Sequence, residues 1–166
     1  MINLERATTT NKQNSADRAQ GLRYFAYFRP LCAIKTIMNS SLKIAVNKES
    51  EEELVKCLDF KNSKNIDSSQ YDFIEKALSG KWHSQHEDIV NTIYVQNLKD
   101  DRFVEPILNI ALNKEVFRPY DDELESTLRK CVHAFKTIDT HKANIALKRL
   151  AELNNNNVNS ALEMYE

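Results

Sequence analysis

The chain has 166 residues, 42% of them hydrophobic, and a net charge of −1, which supplies enough apolar material for one continuous core and argues for a single domain. Only two glycines and three prolines interrupt the sequence, so long helices are favoured over a sheet with glycine-rich hairpins. It contains no Walker A loop, no G-x-G-x-x-G motif and no G-x-S-x-G nucleophile elbow. We therefore expect an all-α protein without the common enzyme motifs.

The cysteines and the hydropathy pattern bear on the compartment. Cys32, Cys57 and Cys131 are odd in number and far apart, which argues against a disulfide framework or a C-x-x-C metal or redox pair and favours a reducing compartment. No apolar run approaches the roughly 18 to 20 residues of a membrane helix. We expect a soluble cytoplasmic protein that needs no cofactor.

Charge is unevenly distributed along the chain. Residues 1–48 carry eight Lys and Arg against two acids, a balance of +6, whereas residues 49–166 carry fifteen against twenty-two, a balance of −7. Residues 1–37 are polar and basic without a helical period, so we expect a disordered or loosely packed leader, followed by one helical domain over 38–166. The aromatic and basic stretch at 22–30 also suits a targeting peptide or a nucleic-acid contact, but the acids in the leader and the acidic body argue against these alternatives.

From Ser50 onwards the sequence carries regular helix-start signals. An oxygen-bearing residue is followed three positions later by an acid, as in a capping box. The four pairs are Ser50 with Glu53, Ser69 with Asp72, Ser84 with Glu87, and Asp122 with Glu125. Asp100 or Asp101 and Thr140 are plausible caps for two more helices, and a short one is expected near 158–165. Apolar residues recur every three or four positions throughout, so residues 50–153 are predicted to be helical, without a sheet.

Residues 86–113 and 124–153 share a plan of helix, short turn and second helix. When the second helix of one segment is aligned with that of the other at an offset of 40 residues, four apolar positions coincide. The first helices of the two segments align at an offset of 38, with three coincident positions. The matched positions are Phe103, Ile107, Ile110 and Ala111 with Ala143, Leu147, Leu150 and Ala151, then Val90, Ile93 and Tyr94 with Leu128, Cys131 and Val132. A repeat of about 40 residues built from helix pairs indicates an α-solenoid.

The segments around these helices resemble HEAT repeats, specifically those of small bacterial HEAT-like proteins, over about residues 80–153. The residues that carry the resemblance are Trp82-His83-Ser84-Gln85-His86-Glu87-Asp88-Ile89-Val90, Leu98-Lys99-Asp100-Asp101-Arg102-Phe103-Val104, Tyr120-Asp121-Asp122 and Arg129-Lys130-Cys131. The second repeat has Thr140-His141-Lys142-Ala143-Asn144 where the first has its Asp-x-Arg-x-Val turn. The resemblance implies a short α-solenoid of antiparallel helical hairpins.

Two clusters are candidate binding residues. The partner-binding candidates are Tyr120, Asp121, Asp122, Glu123 and Glu125, together with Trp82 and His86. The acids would attract a basic partner, although the helix dipole alone also favours acids at a helix start. His83, His86 and Glu87 form an H-x-x-H-E pattern that suits a metal ion. The competing interpretation, which we prefer, is that both histidines stack near Trp82 and hold no metal.

Two classes of function compete for this sequence. The first is a non-enzymatic protein-binding scaffold with a basic partner, in its most concrete form an immunity protein that neutralises a toxin. The second is an enzyme, since some DNA alkyl-purine glycosylases and bilin lyases are built from HEAT repeats. A DNA-binding groove needs concentrated Lys and Arg, and the acidic body argues against nucleic acid as the partner.

Overall fold

The computed structural model describes residues 41–58 and 66–166; the expectations for the leader at 1–37 and for a domain beginning at residue 38 rest largely on residues outside these ranges. All regular elements within them are helices, which confirms the all-α prediction. The α-helices are α1 (41–47), α2 (Glu51–Leu58), α3 (Tyr71–Ser79), α4 (His86–Val95), α5 (Val104–Leu112), α6 (Lys114–Phe117), α7 (Ser126–Ile138), α8 (His141–Ala151) and α9 (Asn156–Glu163). Short 3₁₀ turns at Ser68–Gln70 and Asp101–Phe103 lead into α3 and α5.

Three of the predicted caps form at their helix starts. The backbone N–H of Glu53 points to the Ser50 hydroxyl at 3.4 Å, and the N–H of Ala143 donates to Thr140 Oγ1 at 3.2 Å. The Asp100 carboxylate accepts the N–H of Arg102 at 3.0 Å. These side chains satisfy amide groups that a helix start leaves without an intrahelical partner.

The other three helix starts differ from the prediction. The capping box before α3 uses Asp67 and Gln70 rather than Ser69 and Asp72. The Ser84 hydroxyl donates instead to Glu51 Oε1 at 2.6 Å, and α4 begins at His86 without a side-chain cap. Helix α7 begins at Ser126, four residues after the cap that the sequence suggested.

The longer helices of the described ranges lie in two rows. In the first row, α2 contacts α4, α4 packs extensively on α7, and α7 packs on α9; in the second, α3 packs on α5 and α5 on α8. Helices α4 and α7 run parallel, because Glu87 contacts Lys130 near both starts while Tyr94 contacts His133 further along each helix. The sequence repeat pairs α4 with α5 in one hairpin, yet these two helices contact each other less than each of them contacts α7.

The core lies between the two rows. Its largest fully buried side chains are Phe103, Phe135, Leu54, Ile74, Leu78, Ile89, Ile93, Ile107, Ile110, Leu128, Ile138 and Leu150. Most of the apolar positions that the helical period selected are therefore buried, as predicted. Three of the selected positions are exposed, namely those of Val55, Tyr94 and Leu124. No helix in the described ranges has both the length and the apolar character needed to cross a bilayer.

Candidate functional site

A cleft of about 380 Å³ opens between the start of α4 and the segment from α6 to the start of α7. Its lining combines two histidines, a buried arginine, carboxylates and apolar side chains. These lining residues include His83, His86, Val116, Arg118, Tyr120, Asp121, Asp122 and Leu124. The cleft therefore brings together parts of both predicted repeats and the segment that connects them.

Arg118 anchors the base of this segment. Its Nη1 donates to Asp121 Oδ2 at 3.1 Å and to Glu125 Oε1 at 2.9 Å, and its Nη2 donates to the carbonyl oxygen of Ala111 at 2.9 Å. Asp121 Oδ1 in turn accepts the N–H and the hydroxyl of Thr127, at 3.1 and 2.6 Å. A buried charge is tolerated when it is paired and hydrogen-bonded, as here. The network ties the end of α5 and the 118–121 turn to the first turn of α7.

This network divides the acidic cluster, which the sequence presents as one run of partner-binding candidates. The side chains of Asp121 and Glu125 are only 3% and 13% exposed. Burial would raise the pKa of the Glu125 carboxyl, but hydrogen bonds from Arg118, Asn155 and Asn157 outweigh burial and lower that pKa to about 2. Both carboxylates therefore serve the fold, and only Asp122 and Glu123 of the predicted acids stay exposed.

The two histidines form the other wall. Four aromatic rings form a row in which each contacts the next, in the order Trp82, His83, His86 and Phe117. Their successive centroid distances are 4.4, 4.5 and 5.0 Å. His83 Nε2 donates to the carbonyl of Ala77 at 2.9 Å, and His86 Nε2 donates to that of Gly80 at 2.8 Å. Burial, with a smaller contribution from His83, lowers the pKa of His86 to about 4, so its ring is neutral at pH 7.

This arrangement confirms that the histidines stack near Trp82. The expected capping role of Glu87 is wrong, since its Oε1 accepts from Lys130 Nζ at 2.6 Å and from the Ser126 hydroxyl at 3.0 Å. Within the described ranges, no group of three or more His, Cys, Asp and Glu side chains is arranged to hold a metal ion. Both rings and the carboxylate of the H-x-x-H-E pattern make structural contacts.

Apolar side chains line the open part of the cleft. Tyr120 is 87% exposed, Leu124 63% and Val116 47%. The apolar spacing of Leu124, Leu128 and Phe135 predicts one helical face and therefore a buried Leu124, which is wrong. The sequence indicated Tyr120 only as part of the acidic run, and it gave no signal for Val116. Three large apolar side chains exposed around one cleft are characteristic of a binding surface rather than of scattered surface residues.

The predicted partner-binding residues are partly brought together. His86, Tyr120, Asp121 and Asp122 line the cleft, and Trp82 lies just behind it against His83. Glu123 and Glu125 do not line it. The side-chain amide of Asn157, at the start of α9, donates to the carbonyl of Glu123 at 2.9 Å and to the Glu125 carboxylate, which also pairs with Arg118. Arg118 was missed, although a lone arginine three and seven residues before acids is a signal that charge spacing could have given.

Comparison of the chain with protein-family models, with curated proteins and with solved structures gave no match in any of the three. A function therefore has to be argued from the side chains themselves. The exposed rim, the buried Arg118 network and the distribution of charge around the cleft are the available observations.

Proposed function

We propose that the chain is a non-enzymatic protein-binding scaffold that holds a partner protein at the cleft. The observation that carries this proposal is the exposure of Tyr120, Leu124 and Val116 around a concave site. Tyrosine is enriched among the residues that dominate binding energy at protein interfaces, and apolar side chains beside a concavity lose water when a partner fills it. The Arg118 network makes the base of this surface rigid, which lowers the entropic cost of binding.

We also propose that the helices form a short solenoid of HEAT-like hairpins. Contacts between successive helix starts support it. In the second row, Arg102 pairs with Asp72, and the Thr140 hydroxyl donates to Asp101. In the first, Glu51 accepts from the start of α4, and Glu87 accepts from the start of α7. Each link joins neighbouring helices of one row, as expected when similar units stack side by side.

The proposed partner is basic. The charge balance of residues 49–166 is −7, and the carboxylates of Glu115, Asp122 and Glu123 are exposed on the segment that carries the apolar rim. The one basic residue between 115 and 125 is Arg118, whose charge is compensated by Asp121 and Glu125. A basic surface would thus meet uncompensated negative charge, which steers association. An immunity protein that neutralises a basic toxin is the most concrete form of this proposal.

The buried titratable groups at the cleft favour binding over catalysis. General acid–base chemistry needs a group free to exchange a proton with a substrate. Asp121 already accepts from Arg118 and Thr127, and the Nε2 atoms of His83 and His86 are committed to backbone carbonyls. A DNA-binding enzyme would also need several free cations beside the cleft, whereas its exposed charged residues over 115–124 are acids.

The experiment is an affinity capture from the lysate of the source organism, quantified by mass spectrometry. Wild type is compared with Tyr120→Ala/Leu124→Ala and with Ile145→Ala/Leu153→Ala, a control that removes two other exposed apolar side chains. We expect at least one basic protein to be retained by wild type and the control but lost by the cleft variant, with faster association at low salt. Equal retention by all three would refute the cleft as the binding surface.

A further inference from the structure

The outward face of α7 differs in charge from the rest of the acidic body. Helix α7 (Ser126–Ile138) contains no acid, and Arg129, His133 and Lys136 follow one another at a spacing of four and then three residues. Residues at this spacing lie on the same face of a helix. Because α7 packs between α4 and α9 in the first row, this face lies between two flanking helices.

Two tyrosines flank the stripe. Tyr94 of α4 approaches the His133 ring with a centroid distance of 5.3 Å, and Tyr165, just after α9, approaches the same ring at 5.7 Å. The Tyr165 hydroxyl and His133 Nδ1 are 2.8 Å apart, within hydrogen-bonding distance. Both tyrosines are substantially exposed. The three rings therefore form a continuous aromatic surface across α4, α7 and the segment after α9.

The two cations of this surface have no carboxylate partner in the part of the chain that the structure describes. No Asp or Glu in residues 41–58 or 66–166 lies within ion-pair distance of Arg129 or Lys136. Lys136 Nζ lies over the Tyr165 ring, 5.3 Å from its centroid. Burial, aided by the nearby Arg129, lowers the pKa of His133, so the ring is mainly neutral at pH 7. The surface thus carries two positive charges beside aromatic rings.

We propose that this α7 face is a second docking surface, which binds an acidic polypeptide segment that also carries apolar side chains. Carboxylates of such a segment would complement Arg129 and Lys136, and its apolar side chains would cover Tyr94 and Tyr165. An acidic polypeptide is favoured over a nucleic acid because, among the residues that the structure describes, this face offers only two unpaired cations. The phosphate backbone of a nucleic acid would be repelled by the acidic body, and two cations would neutralise few of its charges.

The test uses the full chain and a short fluorescein-labelled peptide that alternates Glu with Leu, followed by fluorescence anisotropy. The variant is Arg129→Gln/Lys136→Gln. The matched control is Lys148→Gln/Arg149→Gln, which removes one lysine and one arginine from exposed positions on α8. We expect wild type and the control to bind the peptide equally, and the α7 variant to bind about fivefold more weakly or worse, as two exposed ion pairs provide.

Two further probes make the result decisive. The same peptide with Gln in place of Glu should bind more weakly to wild type, since it lacks the charges that Arg129 and Lys136 would meet. A labelled single-stranded uridine oligonucleotide should bind no better than this neutral peptide. Three outcomes would overturn the proposal: no saturable binding of the acidic peptide up to about 1 mM protein, equal loss in the α8 control, or oligonucleotide binding that depends on Arg129 and Lys136.

Discussion

Arg118 and Glu125 form a nearly buried ion pair, with Nη1 2.9 Å from Oε1, that joins the segment after α6 to the start of α7. The other oxygen of the same carboxylate accepts from the Asn155 side chain at 2.6 Å, which brings the start of α9 into the network. Glu125 itself has a left-handed backbone, with φ at 43°, a conformation that non-glycine residues adopt only when their surroundings fix it. One arginine thus organises both the base of the cleft and the entry into two helices.

Substitution Arg118→Met should strongly destabilise the protein. It would leave the carboxylates of Asp121 and Glu125 buried without their cation, which typically costs about 3 kcal/mol or more. In a protein of this size the melting temperature should fall by about 6–12 °C. Thermal unfolding followed by circular dichroism measures this directly.

The control for Arg118 is Lys56→Met, which removes an exposed lysine that pairs with Glu52 and Glu53 on α2. Exposed pairs of this kind contribute little to stability because solvent screens them, so the melting temperature should stay close to that of wild type. Similar small shifts for both variants would show that Arg118 is dispensable for the fold.

The stability of the protein should fall as the pH drops from about 6.5 towards 4. The unfolded chain binds a proton on His86 near its ordinary pKa of about 6.5, whereas burial lowers the folded pKa to about 4. The stabilising contribution is therefore complete above 6.5 and is lost as the pH falls through this window, with a slope of up to about 1.4 kcal/mol per pH unit for one proton. Urea denaturation at a series of pH values gives the slope.

His86→Gln should reduce this pH dependence, because the amide cannot take up the proton yet retains a donor for the Gly80 carbonyl. Burial also lowers the pKa values of His83 and His133, so part of the slope should remain. His141→Gln, at an exposed position on α8, should keep the wild-type profile. The carboxyl pKa values of Glu51 and Glu125 are both lowered to about 2, so their contribution is lost only below about 4.5 and does not obscure the histidine window. An unchanged slope in His86→Gln would mean that another group takes up the proton.

The helical periods were readable from the sequence because they report on burial, which a repeating apolar face determines largely by itself. The positions of Ile93, Phe103 and Leu128 in the core follow directly from such faces. Helix caps were less predictable, since a serine or acid near a helix start can also form hydrogen bonds with residues outside its own turn. Glu87 illustrates this: its carboxylate bonds to Ser126 and Lys130, 39 and 43 residues further along the chain.

The cleft could be predicted only in part for a related reason. The acids are visible in the sequence as a run of negative charge. Their burial, however, depends on Arg118, and Arg118 is buried only because the end of α5 and the start of α7 come together. Leu124 has the apolar character of a core residue, yet it precedes the helix that the spacing assigned to it. The aromatic surface on α7 was equally inaccessible to sequence reasoning, since Tyr94, His133 and Tyr165 lie on three different segments.

Thr140→Ala should cost about 1 kcal/mol of stability, the usual value of a helix N-cap, and lower the melting temperature by about 2–4 °C. Thr140 Oγ1 caps α8 through the N–H of Ala143, and its hydroxyl also donates to Asp101 at the turn before α5. Thr140→Ser keeps both bonds and should behave like wild type. Equal losses in the two variants would indicate that the methyl group, rather than the hydroxyl, is responsible.

Cys131 should resist alkylation in the folded protein. It is fully buried in α7, and burial raises the pKa of its thiol to about 12, so almost no thiolate is available. A short treatment with iodoacetamide near pH 8, followed by peptide mapping, should leave Cys131 unmodified in buffer and modify it in urea. The partly exposed Cys57 is the internal comparison and should react first. Labelling of Cys131 at the same rate in both conditions would show that α7 opens readily.

Substitution of Asp121 and Glu125 should strongly destabilise the protein, whereas substitution of the neighbouring Asp122 and Glu123 should not. Asp121→Asn/Glu125→Gln would leave Arg118 buried without a counterion, so it should cost about 3 kcal/mol or more and lower the melting temperature by at least about 6 °C. Asp122→Asn/Glu123→Gln makes the same chemical change at exposed positions and should alter stability by no more than about 0.5 kcal/mol.

Substitution of the exposed pair should instead change the rate of association with the partner. Once a basic partner is in hand, Asp122→Asn/Glu123→Gln should slow association and reduce its salt dependence, because steering depends on charge that the solvent-exposed rim presents. Stopped-flow association rates at two salt concentrations, measured on variants with wild-type melting temperatures, separate this effect from unfolding. If the exposed pair leaves both the association rate and its salt dependence unchanged, the acids of the 121–125 segment serve only the start of α7, and the partner must be recognised through Tyr120 and Leu124 alone.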